Sequence, residues 1–149
     1  MKISKKLEPI IAGLSASIII GVLAYLSFET STGFWLMFSF GSTTLIILIF
    51  FESEFAQPRN VFFGHILSAS SGVLAFYLFG ESSLSIALGL SLAILVMIVT
   101  NTIHPPAGAN PVIAIMGAET FDFVIMPVAI GALFIVIFAF LYNKLMKRS

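Results

Sequence analysis

The sequence contains no cysteine and very few charged side chains. Without cysteine it can form no disulfide, no thiolate metal site and no thiol nucleophile. Only 9% of its 149 residues are charged, against about a quarter in a typical soluble domain. In contrast, 59% are hydrophobic and the mean hydropathy is +1.11. These values predict an integral membrane protein that sits in a lipid bilayer, and the length predicts a single transmembrane domain, residues 1–149.

The basic residues lie almost entirely near the two ends of the sequence. Three lysines precede the first apolar run, and Lys144, Lys147 and Arg148 follow the last one. Under the positive-inside rule both termini then face the cytoplasm, which requires an even number of crossings. The first apolar run is longer than the core of a typical signal peptide and lacks a clear cleavage site. It is therefore predicted to be a retained span of a multi-pass cell-membrane protein.

Four stretches are long enough to cross a hydrocarbon core of about 30 Å as helices: 9–28, 61–80, 84–103 and 123–143. Two further apolar segments, 34–51 and 106–118, are interrupted by polar residues or short. The predicted fold is all-α, a polytopic transmembrane helical bundle with two broken or short helices. Four and six crossings are both even numbers. Six is favoured, because it places Arg59 on the cytoplasmic side.

The order of these segments indicates a weak internal repeat with halves at about 9–80 and 84–143. Each half reads as a long run, a glycine-containing broken segment and another long run. The broken segments align locally, with Phe40-Gly41-Ser42-Thr43 beside Ala107-Gly108-Ala109-Asn110. Six crossings would make the halves inverted, as in many transporters. Small residues at every fourth position of the long runs predict close helix packing, either within one subunit or in a homo-oligomer.

The stretch 101–111 interrupts the apolar pattern most strongly, with a histidine, three prolines, a glycine and two asparagines. Pro105 and Pro106 lack amide donors and predict a helix break at His104. In a bilayer such a break is tolerated only where it is buried in protein or lines a polar cavity. A short helix starting at Pro106 would present unpaired first-turn amides as an anion site. The alternative is a simple loop between two helices.

Two more residues invite a functional interpretation. Arg59 is the only Lys or Arg between the terminal groups; it is either a counter-charge for an anion or a snorkelling residue that sets topology. His65 falls inside an apolar span, where ionisable groups usually line a pathway or meet a polar partner. A structural histidine bonded to a neighbouring helix is the alternative for His65.

No enzyme motif is recognisable in the sequence, so the protein is predicted not to be an enzyme. Two histidines and scattered acids make no metal set, and no cofactor is expected. Nucleic-acid binding is not expected either, because there is no basic patch.

The block His104-Pro105-Pro106-Ala107-Gly108-Ala109 resembles the signature of the HPP family of integral membrane proteins. Three further blocks agree with the family: Ser39-Phe40-Gly41-Ser42, Ala56 to Asn60 with Gly64-His65, and Leu141-Tyr142-Asn143. The resemblance covers about 9–143. It implies a bundle usually described with four spans, and transport of nitrite, in which plastid and cyanobacterial members are implicated. The chain departs from many members at Ser42-Thr43 and at Ala109-Asn110-Pro111.

These observations predict a transporter or channel for a small inorganic anion such as nitrite, with a site between the two broken helices. The predicted substrate-binding residues are Gly41, Ser42, Thr43, Arg59, Asn60, His65, His104, Gly108, Ala109 and Asn110. The amides of 41–43 and 108–110 would contact the ion, and Arg59 and His65 would supply positive potential. A non-transporting structural or sensor subunit is the alternative function.

Overall fold

A computed structural model describes residues 7–31 and 33–146 as a bundle of helices with no strand among them. This confirms the predicted all-α class and the helical membrane bundle. The six helices are α1 (Glu8–Phe28), α2 (Phe38–Ile49), α3 (Pro58–Phe79), α4 (Ser83–Val99), α5 (Asn110–Met116) and α6 (Phe121–Leu145). Two short 3-10 turns, Glu54–Ala56 and Pro105–Ala109, precede α3 and α5.

Local sequence explains where several helices begin and end. Pro58 occupies the first turn of α3, where a missing amide hydrogen leaves no bond unmade. The Ser82 hydroxyl caps α4 by accepting a hydrogen bond from the Ser85 amide at 3.1 Å. α4 ends at Val99, before the break predicted at His104, because Asn101 takes up a left-handed conformation with φ of 55°. α6 is kinked at Met126, whose φ of −138° and ψ of 119° are extended.

Three helices, α1, α3 and α6, are long and apolar enough to cross a membrane by themselves. α4 has 17 residues and is about 26 Å long, whereas α2 has 12 and is only about 18 Å long. α2 and α5 each follow a non-helical segment that extends them along the bundle. We refer to residues 33–49 as the first broken pass and residues 101–116 as the second broken pass.

The second broken pass runs parallel to α3. Four successive turns of α3 contact successively later residues of the pass. Asn60 donates to the Ile103 carbonyl, Gly64 faces His104, Ser68 donates to the Ala107 carbonyl, and Gly72 packs on Pro111. The second broken pass thus lies alongside α3 from Asn60 to Gly72.

The first broken pass runs parallel to α6. At one end Gly33 and Phe34 line a cavity together with Asp122 and Phe123, near the start of α6. At the other end Ile47 and Phe51 line a cavity with residues from Val136 to Asn143, near the end of α6. The Ser27 hydroxyl accepts hydrogen bonds from the Trp35 and Leu36 amides, each at 2.8 Å, so α1 ends beside the start of this pass.

The described residues therefore make six passes that alternate in direction, and both described ends lie at one end of the bundle. We refer to this end as the Arg59 end and to the opposite one as the Glu81 end. The three passes of the first half are inverted relative to those of the second. This arrangement favours six crossings over four, since the broken passes extend along the bundle axis like their neighbours. Duplication of the halves stays a prediction.

Two kinds of packing hold the passes together. α3, α4 and the second broken pass approach closely through small residues, with Gly89 of α4 against Ala75 and Ile115. α1, the first broken pass and α6 share an apolar core: Ile19, Leu23, Phe40, Ile47, Val128 and Ile135. Large apolar side chains such as Leu14, Ile98 and Phe140 are exposed on the outer surface, as expected where lipid replaces water.

Six crossings with cytoplasmic termini place the loop Gly80–Ser82 outside the cell. The sequence has no cysteine, so a Ser82→Cys variant carries a single thiol. We expect this thiol to react with an impermeant reagent in intact cells. A Glu52→Cys variant, on the exposed loop at the Arg59 end, serves as the control and should react only after permeabilisation. Labelling of Ser82→Cys only after permeabilisation would reject six crossings.

Candidate functional site

The two broken passes meet at the hydroxyl group of Thr43. Its oxygen lies 2.8 Å from Nε2 of His65 and 3.0 Å from Nε2 of His104. Both imidazole rings and Thr43 are fully buried. α2, α3 and the second broken pass thus each contribute one polar side chain to a single point inside an apolar bundle.

Each histidine has a second partner on its other ring nitrogen. Nδ1 of His104 lies 2.7 Å from the Phe55 carbonyl oxygen, in the 3-10 turn before α3. Nδ1 of His65 lies 2.9 Å from Nδ2 of Asn110, the first residue of α5. The Asn110 amide nitrogen also donates to the His65 carbonyl oxygen at 3.1 Å. All four ring nitrogens therefore have partners from the protein.

The backbone carbonyls, which can only accept, fix the direction of the hydrogen bonds on Nδ1 of both histidines. The Phe55 carbonyl can only accept, so His104 carries a hydrogen on Nδ1. The His65 carbonyl can only accept, so the group of Asn110 facing His65 is the NH2 group. His65 then accepts at Nδ1 and carries its hydrogen on Nε2, from which it donates to Thr43. If His104 is neutral, its Nε2 can only accept, and the Thr43 hydroxyl is then its donor.

Packing around the cluster is tight and partly aromatic. The Phe40 ring contacts His65 edge-to-face, with centroids 5.3 Å apart, and the two imidazole centroids are 5.0 Å apart. A Cβ on Gly64 would lie 2.8 Å from Cβ of His104 and 2.9 Å from the Thr102 carbonyl oxygen. Glycine at this position is thus what lets the second broken pass approach α3.

A sequence model of the HPP transmembrane region matches residues 2–149, nearly the whole chain. This chain belongs to the HPP transmembrane family.

Two relatives of this HPP chain come from Dictyostelium discoideum and are named only as transmembrane proteins. One is 36% identical over 146 residues, covering 91% of this chain and 47% of the relative. The other is 36% identical over 118 residues, covering 74% of this chain and 41% of the relative. The chain thus spans less than half the length of these relatives. No solved structure matches the chain.

Four predicted site residues of this HPP chain come together: Thr43, His65, His104 and Asn110. The others do not join the cluster. Gly41 and Ser42 are exposed on the outer face of α2, and Gly108 and Ala109 are half-buried beside the cluster without contributing a side-chain hydrogen bond to it. Asn60 supports the second broken pass from α3, at 3.2 Å from the Ile103 carbonyl.

The predicted anion site made of free backbone amides is not formed. α2 begins at Phe38, so the amides of 41–43 lie beyond its first turn, where amides bond within the helix. The second turn begins at Pro105 rather than Pro106, and the Asn110 amide donates to the Ala107 carbonyl. The amides of 108–110 are therefore not its free first-turn donors. The free amides expected in both groups are absent, and contact of these residues with an anion stays a prediction.

Arg59 lies apart from the cluster, at the end of the bundle. Its side chain is exposed and donates to the Thr100 carbonyl oxygen at 2.8 Å, close to the last turn of α4. No Lys or Arg side chain reaches the interior among the residues described. Positive potential inside the bundle would have to come from a histidine.

Three contributors to the cluster escaped the sequence prediction. The Phe55 carbonyl is a backbone group with no sequence signal. In the sequence, Ser68 was only one of several small residues at every fourth position of α3. In the structure its hydroxyl donates a hydrogen bond to the Ala107 carbonyl at 2.5 Å, next to the cluster. Ser39 belonged to a family-like block but was not included in the predicted site, although its carbonyl oxygen lies 3.0 Å from the Thr43 hydroxyl.

Replacing Gly64 by alanine should destabilise the protein, because the new Cβ would collide with the backbone and side chain at the break. Overpacking of this kind typically lowers the free energy of unfolding by about 1–3 kcal/mol. Gly41→Ala is the matched control, since a Cβ at Gly41 on α2 meets nothing within 4 Å. Thermal unfolding in one detergent compares both variants with the wild type. An unchanged melting temperature for Gly64→Ala would contradict the close approach.

Proposed function

We propose that this HPP chain is a transporter or channel for a small inorganic anion, with nitrite as the candidate substrate, and that it is not an enzyme. The observation that carries the proposal is the fully buried cluster of Thr43, His65, His104 and Asn110 where two broken passes meet. Polar and ionisable groups inside a membrane are expensive and usually mark a pathway. Broken helices that meet within inverted halves are a recurrent design of transporter binding sites.

The cluster offers an anion several hydrogen-bond donors. The Ser39 hydroxyl is buried and makes no hydrogen bond of its own. The Thr43 hydroxyl and the NH2 group of Asn110 are hydrogen-bonded within the cluster, and the Ser68 hydroxyl is bonded to the Ala107 carbonyl of the second broken pass. A small oxyanion loses its water on entering such a site, and these donors would replace part of that hydration. The proposed substrate site is therefore made of side chains rather than of free helix-end amides.

The seam between the first broken pass and α6 provides an approach from each end of the bundle. Cavities open at the Arg59 end, beside Ile47 and Asn143, and at the Glu81 end, beside Gly33 and Glu119. Between them the Phe40 ring packs on Gly131 so closely that a Cβ there would overlap it. Access from both ends with a closure in the middle fits a carrier better than an open pore. Phe40 also contacts His65, which links this closure to the polar cluster.

The distribution of charge supports the proposed orientation in the cell membrane. Arg59 and Lys144 lie at the Arg59 end, together with both described ends of the chain. Glu29, Glu81, Glu119 and Asp122 lie at the Glu81 end, where the described residues include no Lys or Arg. Partial burial raises the pKa of the Glu119 carboxyl above its ordinary value. The positive-inside rule then makes the Arg59 end cytoplasmic, and with it both termini.

A homo-oligomer formed through α1 is part of the proposal. The small-residue rows of α3 and α4 are used inside the subunit, against the second broken pass. The row on α1, made of Gly13, Ser17 and Gly21, is exposed, and a Cβ at either glycine meets nothing within 4 Å. Such rows favour close helix association in lipid, here with a second copy of the chain.

A structural or sensor subunit without transport activity is the second candidate. It is favoured by the observation that protein groups already satisfy all four ring nitrogens of the histidines. Arg59 lies at the end of the bundle and donates a hydrogen bond to the Thr100 carbonyl. The two candidates predict different effects of replacing it.

Flux of nitrite into liposomes that contain the purified protein tests the proposal. We expect flux above that of empty liposomes. Arg59→Gln should reduce it severalfold at low salt without loss of folded protein, because a charge at the pathway entrance raises the local anion concentration. Lys144→Gln is the matched control, a basic residue exposed at the same end on the last turn of α6, and should change the flux less.

A structural or sensor subunit without transport activity would give other results. Well-reconstituted wild-type protein would move neither nitrite, nitrate nor formate above the background of empty liposomes. Equal losses in Arg59→Gln and Lys144→Gln would contradict a specific role of Arg59 in the pathway.

A further inference from the structure

We infer that Thr43, His65 and His104 form a proton-binding site that takes up one proton on Nε2 of His104, with the Thr43 hydroxyl as its switch. The inference goes beyond anion transport and does not depend on the identity of any cargo. It follows from the hydrogen-bond partners of one oxygen atom, which has one hydrogen to donate and two acceptors within reach.

In the neutral state the hydrogen bonds form one directed chain. Asn110 donates to Nδ1 of His65, Nε2 of His65 donates to the Thr43 oxygen, and the Thr43 hydroxyl donates to Nε2 of His104. The chain ends where Nδ1 of His104 donates to the Phe55 carbonyl. Each neutral ring has one nitrogen with a lone pair: Nδ1 of His65 accepts from Asn110, and Nε2 of His104 accepts from the Thr43 hydroxyl.

The second acceptor for the Thr43 hydroxyl is the Ser39 carbonyl oxygen, at 3.0 Å. When a proton binds Nε2 of His104, that nitrogen becomes a donor toward Thr43. The Thr43 hydrogen then rotates to the Ser39 carbonyl, and its oxygen accepts from both imidazoles. The proton comes from hydronium: one of its O–H bonds breaks, leaving water, as the new N–H bond forms on Nε2 of His104. The Thr43 hydroxyl keeps its own O–H bond and only rotates, and no heavy atom of the protein needs to move. In both protonation states every ring nitrogen is therefore hydrogen-bonded in one arrangement of the chain.

His65 cannot take the proton so easily. A hydrogen on its Nδ1 would point at the NH2 group of Asn110, only 2.9 Å away. The Asn110 amide would have to turn over, bringing its unpartnered Oδ1 atom to His65 and giving up its bond to the His65 carbonyl. A second proton is also opposed by the first, because the imidazole centroids are 5.0 Å apart. The site is thus built for a single proton.

The groups around the site leave that charge uncompensated by the protein. The two histidines face each other, and Ser39, Phe40 and Ser68 are the neutral neighbours on α2 and α3. The nearest charged residues in sequence are Glu54, exposed beside Phe55, and Arg59, exposed and bonded to the Thr100 carbonyl. Within the described ranges no Asp, Glu, Lys or Arg side chain is recorded as hydrogen-bonded to the cluster. A protonated His104 therefore creates a positive site in an apolar bundle, and a small anion would neutralise it.

The two histidines are the only ones in the chain, so nitrogen NMR of protein labelled with 15N-histidine resolves the site directly. In the intact protein in bilayers, we expect one ring with its hydrogen on Nδ1 and one with its hydrogen on Nε2 at alkaline pH. His65→Gln or His104→Gln assigns the two sets of signals, and either variant is sufficient. As the pH falls, the Nδ1-protonated ring of His104 should become doubly protonated first, while His65 stays neutral.

Thr43→Val removes the switch while keeping the shape of the side chain. We expect His104 in this variant to take up its proton only at a pH about one unit lower, because the hydrogen bond lost from the charged form is stronger than the one lost from the neutral form. Thr43→Ser keeps the hydroxyl and should titrate like the wild type. Thr44→Val is the matched control: Thr44 is buried on the same helix, but its hydroxyl makes no hydrogen bond.

The same spectra can overturn the inference without any variant that risks misfolding. Two rings with their hydrogens on Nε2, simultaneous titration of both rings, or protonation of His65 first would each contradict it. So would the absence of any doubly protonated ring at every pH at which the protein stays folded. Equal titration of wild type and Thr43→Val would remove Thr43 from the site.

Discussion

The structure depends on hydrogen bonds that join two interrupted passes in the interior of an apolar bundle. A chain that leaves the helical conformation inside a bilayer has backbone groups that lipid cannot satisfy. Here α3 stabilises the second broken pass in two ways. Asn60 and Ser68 donate hydrogen bonds to backbone carbonyls of the pass. Gly64 and Gly72 allow the two backbones to approach closely. Thr43 then ties it to the first broken pass. Without these contacts neither interruption could persist in lipid.

Much of this arrangement could be predicted from the sequence. Proline spacing predicted the interruption after α4, apolar runs predicted the long helices, and the local alignment paired Thr43 with Asn110. In the structure these two aligned residues bind opposite nitrogens of the same ring, that of His65. This arrangement agrees with the inverted order of the two halves. An alignment of only a few residues was sufficient to pair these two positions.

The rest could not be predicted, for identifiable physical reasons. The first residue of a helix determines which amides have no hydrogen bond within that helix. α2 begins at Phe38, after the extended residue Met37, so the amides of 41–43 lie beyond its first turn and are not free. The Phe55 carbonyl is a backbone atom brought in by a turn 49 positions away in sequence from His104. The direction of a side chain on a helix also matters, since Ser42 and Thr43 are neighbours in sequence, yet only Thr43 faces the interior.

The interior of this HPP chain is polar but contains no permanent charge among the described residues. All four ring nitrogens of the two histidines have hydrogen-bond partners. The Lys and Arg side chains that the structure describes, Arg59 and Lys144, lie at the Arg59 end of the bundle. Such an interior disfavours a bare anion unless positive charge arrives with it. A site that takes up a proton and a small anion together would remain neutral overall, which lowers the electrostatic penalty of crossing a low-dielectric region. The proposed transport and the inferred proton site are thus physically compatible, although neither requires the other.

Thr43 and His104 join the two broken passes. A double-mutant cycle tests this contact most directly. Free energies of unfolding of Thr43→Val, His104→Phe and the double variant are compared with the wild type in one detergent. Residues in direct contact usually show a coupling energy of about 0.5–3 kcal/mol. The cycle of Thr44→Val with His104→Phe is the control and should be additive. A coupling for Thr43 and His104 no larger than that of the control would contradict the account.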